Sequence, residues 1–271
     1  MTMAHIIARD VVVEFPIYDT AHRSLKKQII HATTGGRIAR DSGNRVAVRA
    51  LDGVSFEIRP GDRVGLMGHN GAGKTTLLRA LAGIYEPVGG TLAVNGRVAT
   101  LLELFVGVDL DATGYENIML RGLYMGLTRD EIRERAGDIA RFTELGDYLY
   151  MPVRTYSSGM QLRLAFAVST AVDADIVIMD EWLSVGDAEF RPKARERMEA
   201  LLERSAILVV ASHDRRLLGD ICNRIFWLDH GQISEVSPAA IEQHEAGPWV
   251  PLDASPGAGG SAMLRQPISR P

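Results

Sequence analysis

The sequence predicts an α/β fold with a mostly parallel sheet core, an antiparallel β part and an inserted helical segment. Three observations predict it. Short continuous apolar runs at Val64–Met67, Ile176-Val-Ile-Met179 and Ala206-Ile-Leu-Val-Val-Ala211 suit strands buried on both faces of a parallel sheet. The first run leads through a glycine-rich turn, Gly68 to Gly73, into an amphipathic helix with Leu77, Leu78 and Leu81 on one face. From Thr113 to Val172 the periodicity changes to helical, between blocks of strand character.

Taken in order, Ile6 to Phe15 is rich in β-branched residues and reads as a strand. Ser24 to His31 reads as a helix with Ser24 as N-cap, Leu25, Ile29 and Ile30 inward, and Lys26 and Lys27 on a solvated face. Thr33-Thr-Gly-Gly36 ends it. Val46 to Ile58 alternates apolar and polar residues, with Asp52-Gly53 as a turn signal inside it. Thr91 to Gly96 and Arg97 to Leu102 read as two strands around an Asn-Gly turn. Thr128-Arg-Asp-Glu131 is a capping box that opens an amphipathic run from Ile132 to Leu145. Arg191 to Leu202 is a charged amphipathic helix, and Ile225–Leu228 with Asp229-His-Gly-Gln-Ile233 forms a final hairpin. After Ala246 the chain is rich in Pro, Gly and Ser. The expected organisation is one domain over 1–245, with a helical subdomain at about 111–172, and a disordered tail over 246–271.

A chain of 271 residues can bury a sizeable core. The mixed charge, −4 in total, gives no support for nucleic acid as the main ligand, while leaving room for a local basic surface. One cysteine, Cys222, excludes an intramolecular disulfide and a multi-cysteine metal site. The first residues are too poor in apolar side chains for a signal peptide, and no run approaches the roughly 18 apolar residues of a membrane span. A role at a membrane therefore requires a partner.

The turn from Gly68 to Thr75, Gly-His-Asn-Gly-Ala-Gly-Lys-Thr, is a complete G-x-x-x-x-G-K-[ST] phosphate loop. Backbone N–H groups of Gly68, His69, Asn70, Gly71, Ala72 and Gly73 converge on phosphates at the positive end of a helix dipole. Lys74 supplies a point charge to the β- and γ-phosphates, and Thr75 a hydroxyl ligand to Mg²⁺. Asp180, at the C-terminal end of the 176–179 run, is placed to hold Mg²⁺, and Glu181 to orient or deprotonate the attacking water. Capping a following helix is the structural alternative for this acid pair. Ser157 or Ser158 caps a helix after Thr155-Tyr, giving a second anion site with Gly159, Met160 and Gln161. His213 ends the 206–211 strand on the same sheet edge.

Five such motifs in this order resemble the nucleotide-binding subunit of an ATP-binding cassette (ABC) transporter, over roughly residues 6–240. Gly68 to Thr76 is similar to Walker A, Ser157 to Gln161 to the signature, and Asp180 and Glu181 to Walker B and the catalytic base. Ser184-Val-Gly-Asp187 resembles the D-loop, with Asp187 near nucleotide, and His213 the switch histidine. Phe15 falls where the family stacks an aromatic on adenine; Tyr18 is its rival, and core packing its structural alternative. The resemblance implies an ABC-type phosphate-loop fold, ATP and Mg²⁺ as ligands, ATP hydrolysis, and a head-to-tail homodimer. It also implies two copies of a separate polytopic permease and a place on the cytoplasmic face of the inner membrane.

Tyr156-Ser-Ser-Gly-Met160 and Glu181-Trp-Leu-Ser-Val-Gly-Asp-Ala-Glu-Phe190 resemble the branch that exports cell-surface polysaccharides such as O-antigen, teichoic acid and galactan. In that branch Ser24-Leu-Lys-Lys27 is similar to a gate helix near the membrane partner. The implied cargo is a lipid-linked polysaccharide, reached through the permease, whose coupling helices meet grooves near Leu104–Gly114. The usual Q-loop glutamine is missing; Thr100-Leu-Leu-Glu-Leu104 stands in that region, so Glu103 is the candidate replacement as a metal contact. The chain ends too soon for a carbohydrate-binding C-terminal sandwich. A soluble ABC ATPase acting on ribosomes or DNA is the rival reading, opposed by the absence of tandem cassettes or a coiled coil. A different transported substrate, and a regulatory protein that binds ATP without turnover, are further rivals. Intact Lys74, Asp180, Glu181 and His213 oppose the last.

Overall fold

Residues Ile176–Met179 and Ile207–Ala211 are fully buried, as unbroken apolar β-branched runs require when helices cover both faces of a sheet. In the computed structural model, which describes residues 3–16, 37–40, 46–181 and 189–237, they form two neighbouring parallel strands. They are β7 (Ile176–Asp180) and β8 (Ile207–Ala211) of a six-stranded sheet. Its other strands are β4 (Arg63–Met67), β6 (Val98–Thr100), β9 (Arg224–Asp229) and β10 (Gln232–Val236), in the order β10-β9-β4-β8-β7-β6. Only the β9–β10 pair is antiparallel, closed by a tight turn. A second, antiparallel sheet has the order β2-β3-β1-β5, from β1 (His5–Pro16), β2 (Arg37–Arg40), β3 (Val46–Ile58) and β5 (Gly89–Asn95).

Two turn expectations are corrected. Asp52-Gly53 makes no hairpin, because β3 continues through it against β1. Val11 pairs with Val54 and Val13 with Leu51, so β3 carries one extra residue there, a bulge with Gly53 at φ 73°. Asn95-Gly96 likewise joins no hairpin: β5 belongs to the antiparallel sheet, whereas β6 pairs with β7 in the other. Asp175 accepts from the Arg97 N–H at 2.7 Å and anchors that crossover. The expected helix Ser24–His31, Tyr18, Asp187 with the rest of Ser184–Asp187, and the expected tail lie outside the described residues.

The helices are α1 (Lys74–Leu81), α2 (Gly114–Tyr124), α3 (Arg129–Thr143), α4 (Ser158–Ser169), α5 (Arg191–Arg204) and α6 (Arg215–Ile221). Thr128 and Glu131 form the expected capping box on α3, and Thr113 with Glu116 forms a second on α2. Three apolar clusters result. One joins the antiparallel sheet, α1 and one face of the parallel sheet; another packs α4 and α5 on the opposite face. The third, with Ile118, Ile132, Ile139, Leu149 and Val168, lies among α2, α3 and α4. Helix α4 serves two of these clusters, with Ala165 and Phe166 toward the sheet and Leu164, Ala167 and Val168 toward the helices. That double duty is why it is apolar nearly all round.

Arg121 of α2 is buried, donating to Val106 O at 2.5 Å and Ser169 Oγ at 2.9 Å, so it ties the loop after β6 to α2 and α4. Burial lowers its pKa to about 10. Burial also pushes the Cys222 thiol up to about 12, leaving it a packed core group without nucleophilic use.

Gly122 lets α2 approach α3, since a Cβ there would lie 2.6 Å from Ile132 Cγ1 on a stiff β-branched side chain. Overpacking costs about 1–3 kcal/mol, against about 0.5–1 kcal/mol gained by replacing a helical glycine. Gly122→Ala is therefore expected to lower stability by about 1 kcal/mol in urea unfolding. Ile132→Ala should cost less in that background than alone; additive losses would refute the contact.

Candidate functional site at the C-terminal edge of the parallel sheet

The phosphate loop leaves β4, which lies between β8 and β9. Gly68 has φ 148°, and a Cβ there would collide with the Leu228 carbonyl of β9. Gly73 has φ 109°, and its Cβ would meet Ala50 O at 2.6 Å. Both positions thus demand glycine. Between them, His69, Asn70 and Gly71 are exposed or partly so, and Ala72 turns inward. The Ala72 carbonyl accepts from the Gly231 N–H at 3.0 Å. Gly73 is the N-cap of α1 without a side-chain cap, and Lys74, Thr75 and Thr76 form the first turn, whose N–H groups carry the positive end of the helix.

Lys74 Nζ donates to Gly68 O at 2.7 Å and His69 O at 3.1 Å, closing the loop on itself. Partial burial lowers its pKa, and the charges of Asp180 and Glu181 oppose that shift. Thr75 Oγ1 donates to Asp180 Oδ2 at 2.7 Å, so two oxygen donors from residues 105 positions apart meet at one point. Hard oxygen donors of this kind suit Mg²⁺.

Glu181 follows β7 with φ 68°, an unusual conformation for a residue with a side chain, and its N–H donates to Ala211 O at 2.8 Å. Its carboxylate receives the Ser212 hydroxyl at 3.3 Å and lies 3.9 Å from His213 Nε2. Ser212 is buried and accepts from the Asp214 N–H at 3.1 Å. Sequence reading passed over Ser212; its place between a buried strand and a histidine was the available signal. Lys74, Thr75, Asp180, Glu181 and His213 are thus brought to one edge.

Other candidates are placed elsewhere. Ser157 caps α4, its Oγ accepting from Met160 N at 3.2 Å, while Ser158 is exposed and Gly159 half-buried. Gln161 Nε2 reaches back to the Val153 and Tyr156 carbonyls, each at 3.4 Å. These contacts all belong to the helical block. Phe15 is partly exposed and packs edge-on against Tyr85, with ring centroids 5.1 Å apart. Glu103 accepts from Arg79 Nη2 at 2.7 Å, so its carboxylate is committed to a guanidinium. Arg79 in turn donates to the Tyr85 hydroxyl at 3.0 Å.

A phosphate loop at the end of a central parallel strand, with an acid pair and histidine on neighbouring strands, defines a phosphate-loop nucleoside triphosphatase. Comparison with known proteins refines this class. Residues 51–184 match the model of the ABC transporter family. The O-antigen export system ATP-binding protein RfbE of Yersinia enterocolitica is 48% identical over 235 residues, covering 87% of this chain and 98% of that protein. The teichoic acids export ATP-binding protein TagH of Bacillus anthracis is 40% identical over 186 residues, covering 69% of this chain and 34% of its own length. A dimeric ATP-binding cassette in a post-hydrolysis state with ADP and Pi shares the fold, with TM-score 0.61 and 20% identity over 86% of this chain and 98% of the other. The chain belongs to the ABC transporter family, as an ATP-binding subunit whose ATPase activity is coupled to transport. No helix among the described residues is long and apolar enough to cross a membrane.

Glu181→Gln is expected to bind a fluorescent ATP analogue as the wild type does and to hydrolyse ATP about 10²–10⁴-fold more slowly, the usual loss for a positioned base. A phosphate-release assay reads this, and near-normal turnover would remove Glu181 from the role.

Proposed function

We propose that this chain hydrolyses ATP to drive export of a lipid-linked cell-surface polysaccharide through a membrane permease, from the cytoplasmic face of the inner membrane. The observation that carries the substrate class is the 48% identity to the Yersinia O-antigen export protein along nearly its whole length. A teichoic acid cargo is the second reading; it rests on lower identity over a smaller part of the chain.

In this reading Lys74, the loop N–H groups and the N-terminus of α1 bind the phosphates, and Phe15 or Tyr18 holds the adenine. Thr75 and Asp180 would hold a magnesium ion, which would supply positive charge to the phosphates of the bound nucleotide. Glu181 accepts a proton from the attacking water, Ser212 orients its carboxylate, and His213 lies beside the same carboxylate to respond to the γ-phosphate. To contact the ion, Glu103 would have to leave Arg79. The arrangement favours its role as a link from Arg79 and Tyr85 to the loop after β6.

Ser157 to Gln161 stand on the helical block and Lys74 at the start of α1, which supports a head-to-tail dimer of two chains with two composite sites. The helical subdomain is proposed at about 111–172, within a domain over 1–245, and Asp187 is proposed to meet nucleotide near the dimer contact. Phe105 and Leu110 expose large apolar side chains in the expected coupling region, which supports docking of two permease subunits there.

Two outcomes are expected. Ser158→Arg should abolish turnover yet bind ATP, and mixing it with Lys74→Ala chains should restore one working site per mixed dimer. A mixture as inactive as each variant alone would count against the composite site. In a strain carrying only Lys74→Ala, surface glycan should disappear from gels while lipid-linked glycan accumulates inside. Unchanged surface glycan would end the exporter reading.

A further inference from the structure

Outside the catalytic edge, one group of three among the described residues joins histidine and carboxylate ligand atoms: His69, Asp229 and His230, all exposed. His69 belongs to the phosphate loop; Asp229 and His230 form the β9–β10 turn, 160 residues away in sequence. Their ligand atoms all lie within 4.8 Å of one another. One oxygen, Asp229 Oδ1, faces both rings, 3.1 Å from His69 Nε2 and 3.7 Å from His230 Nε2. A tetrahedral ion with ligand bonds of about 2.0–2.1 Å places its ligands about 3.3 Å apart, so these two edges are close to a chelating geometry. The ring centroids are 4.8 Å apart and tilted by 54°, which brings the imidazoles together at the carboxylate.

A second observation concerns protons. His69 Nδ1 lies 2.8 Å from the Asn70 carbonyl, which can only accept, so the ring N–H is there. Nε2, the nitrogen left for a ligand bond, faces the Asp229 carboxylate oxygen at 3.1 Å. A metal-bound histidine is commonly fixed in this way, with the other nitrogen donating to a backbone carbonyl. Two imidazole nitrogens and one carboxylate oxygen form a borderline donor set, suited to zinc, cobalt or nickel rather than to magnesium.

We propose that His69, Asp229 and His230 bind a divalent ion of the zinc class, separate from the Thr75–Asp180 pair, and that this ion staples the phosphate loop to the β9–β10 turn. It adds a second tether beside the bond from Gly231 N–H to Ala72 O.

The test is calorimetric titration of zinc into the full, nucleotide-free and metal-stripped chain. One ion per chain is expected. His230→Asn and Asp229→Asn should each weaken binding about tenfold or more, the scale on which even supporting residues of a metal site act. His230 has φ 46°, a turn position that asparagine favours, so His230→Asn keeps the hairpin while removing a ligand. Asp180→Asn combined with His213→Gln, which strips ligands from the catalytic edge, should leave the affinity unchanged. The proposal falls if the wild type binds no zinc. It falls equally if the Asp229→Asn/His230→Asn double variant binds as tightly as the wild type, or if only the catalytic-edge variant loses the ion.

Discussion

Backbone crowding around the phosphate loop governs the rest of this molecule. Strand β4 lies inside its sheet, so the loop that leaves it has protein on several sides. The Leu228 carbonyl stands behind Gly68 and the Ala50 carbonyl behind Gly73. The β9–β10 turn holds both neighbours, because Gly231 donates to Ala72 O and accepts from the Asp52 N–H at 2.8 Å. That last contact explains the bulge in β3: the irregularity at Asp52-Gly53 turns a backbone group of the antiparallel sheet toward the hairpin that braces the loop. With the loop so fixed, α1 starts just after Gly73, and Thr75 falls opposite Asp180.

How much of this was legible in the sequence depended on range. Buried parallel strands, the phosphate loop and the capping box at Thr128 are written in neighbouring residues and are found where those residues place them. Turn dipeptides were less informative. Asn95-Gly96 has hairpin chemistry, but the strand after it joins a different sheet, a choice made by Asp175 and β7 rather than by the turn. Glu103 could be recognised as standing where a glutamine was expected; its partner Arg79 could not, since only the packing of α1 brings that guanidinium to it. The same holds for His69 and Asp229, which share no local pattern and meet only through the sheet order.

The serine-rich stretch before α4 and the lysine loop rest on different foundations. Helix α4 is a common wall, with one side in the helical cluster and the other against the sheet core. Arg121 reinforces it from the helical side by holding both Ser169 and the loop after β6. That loop is therefore tied to the C-terminal end of the helix whose other end carries Ser157 to Gln161. Well-packed interfaces of this kind move as units rather than deforming gradually.

The left-handed backbone at Glu181 has a consequence for the history of the chain. A side chain held at φ 68° costs of order 1–3 kcal/mol relative to glycine, and asparagine would also be easier there. Drift toward stability alone would replace this glutamate. A descendant released from the need to turn over ATP would be expected to lose it early, while keeping the loop glycines that the fold itself requires. With Glu181 as the proposed base, glutamate at this one angle would separate a working motor from an inherited scaffold and mark the difference within a lineage.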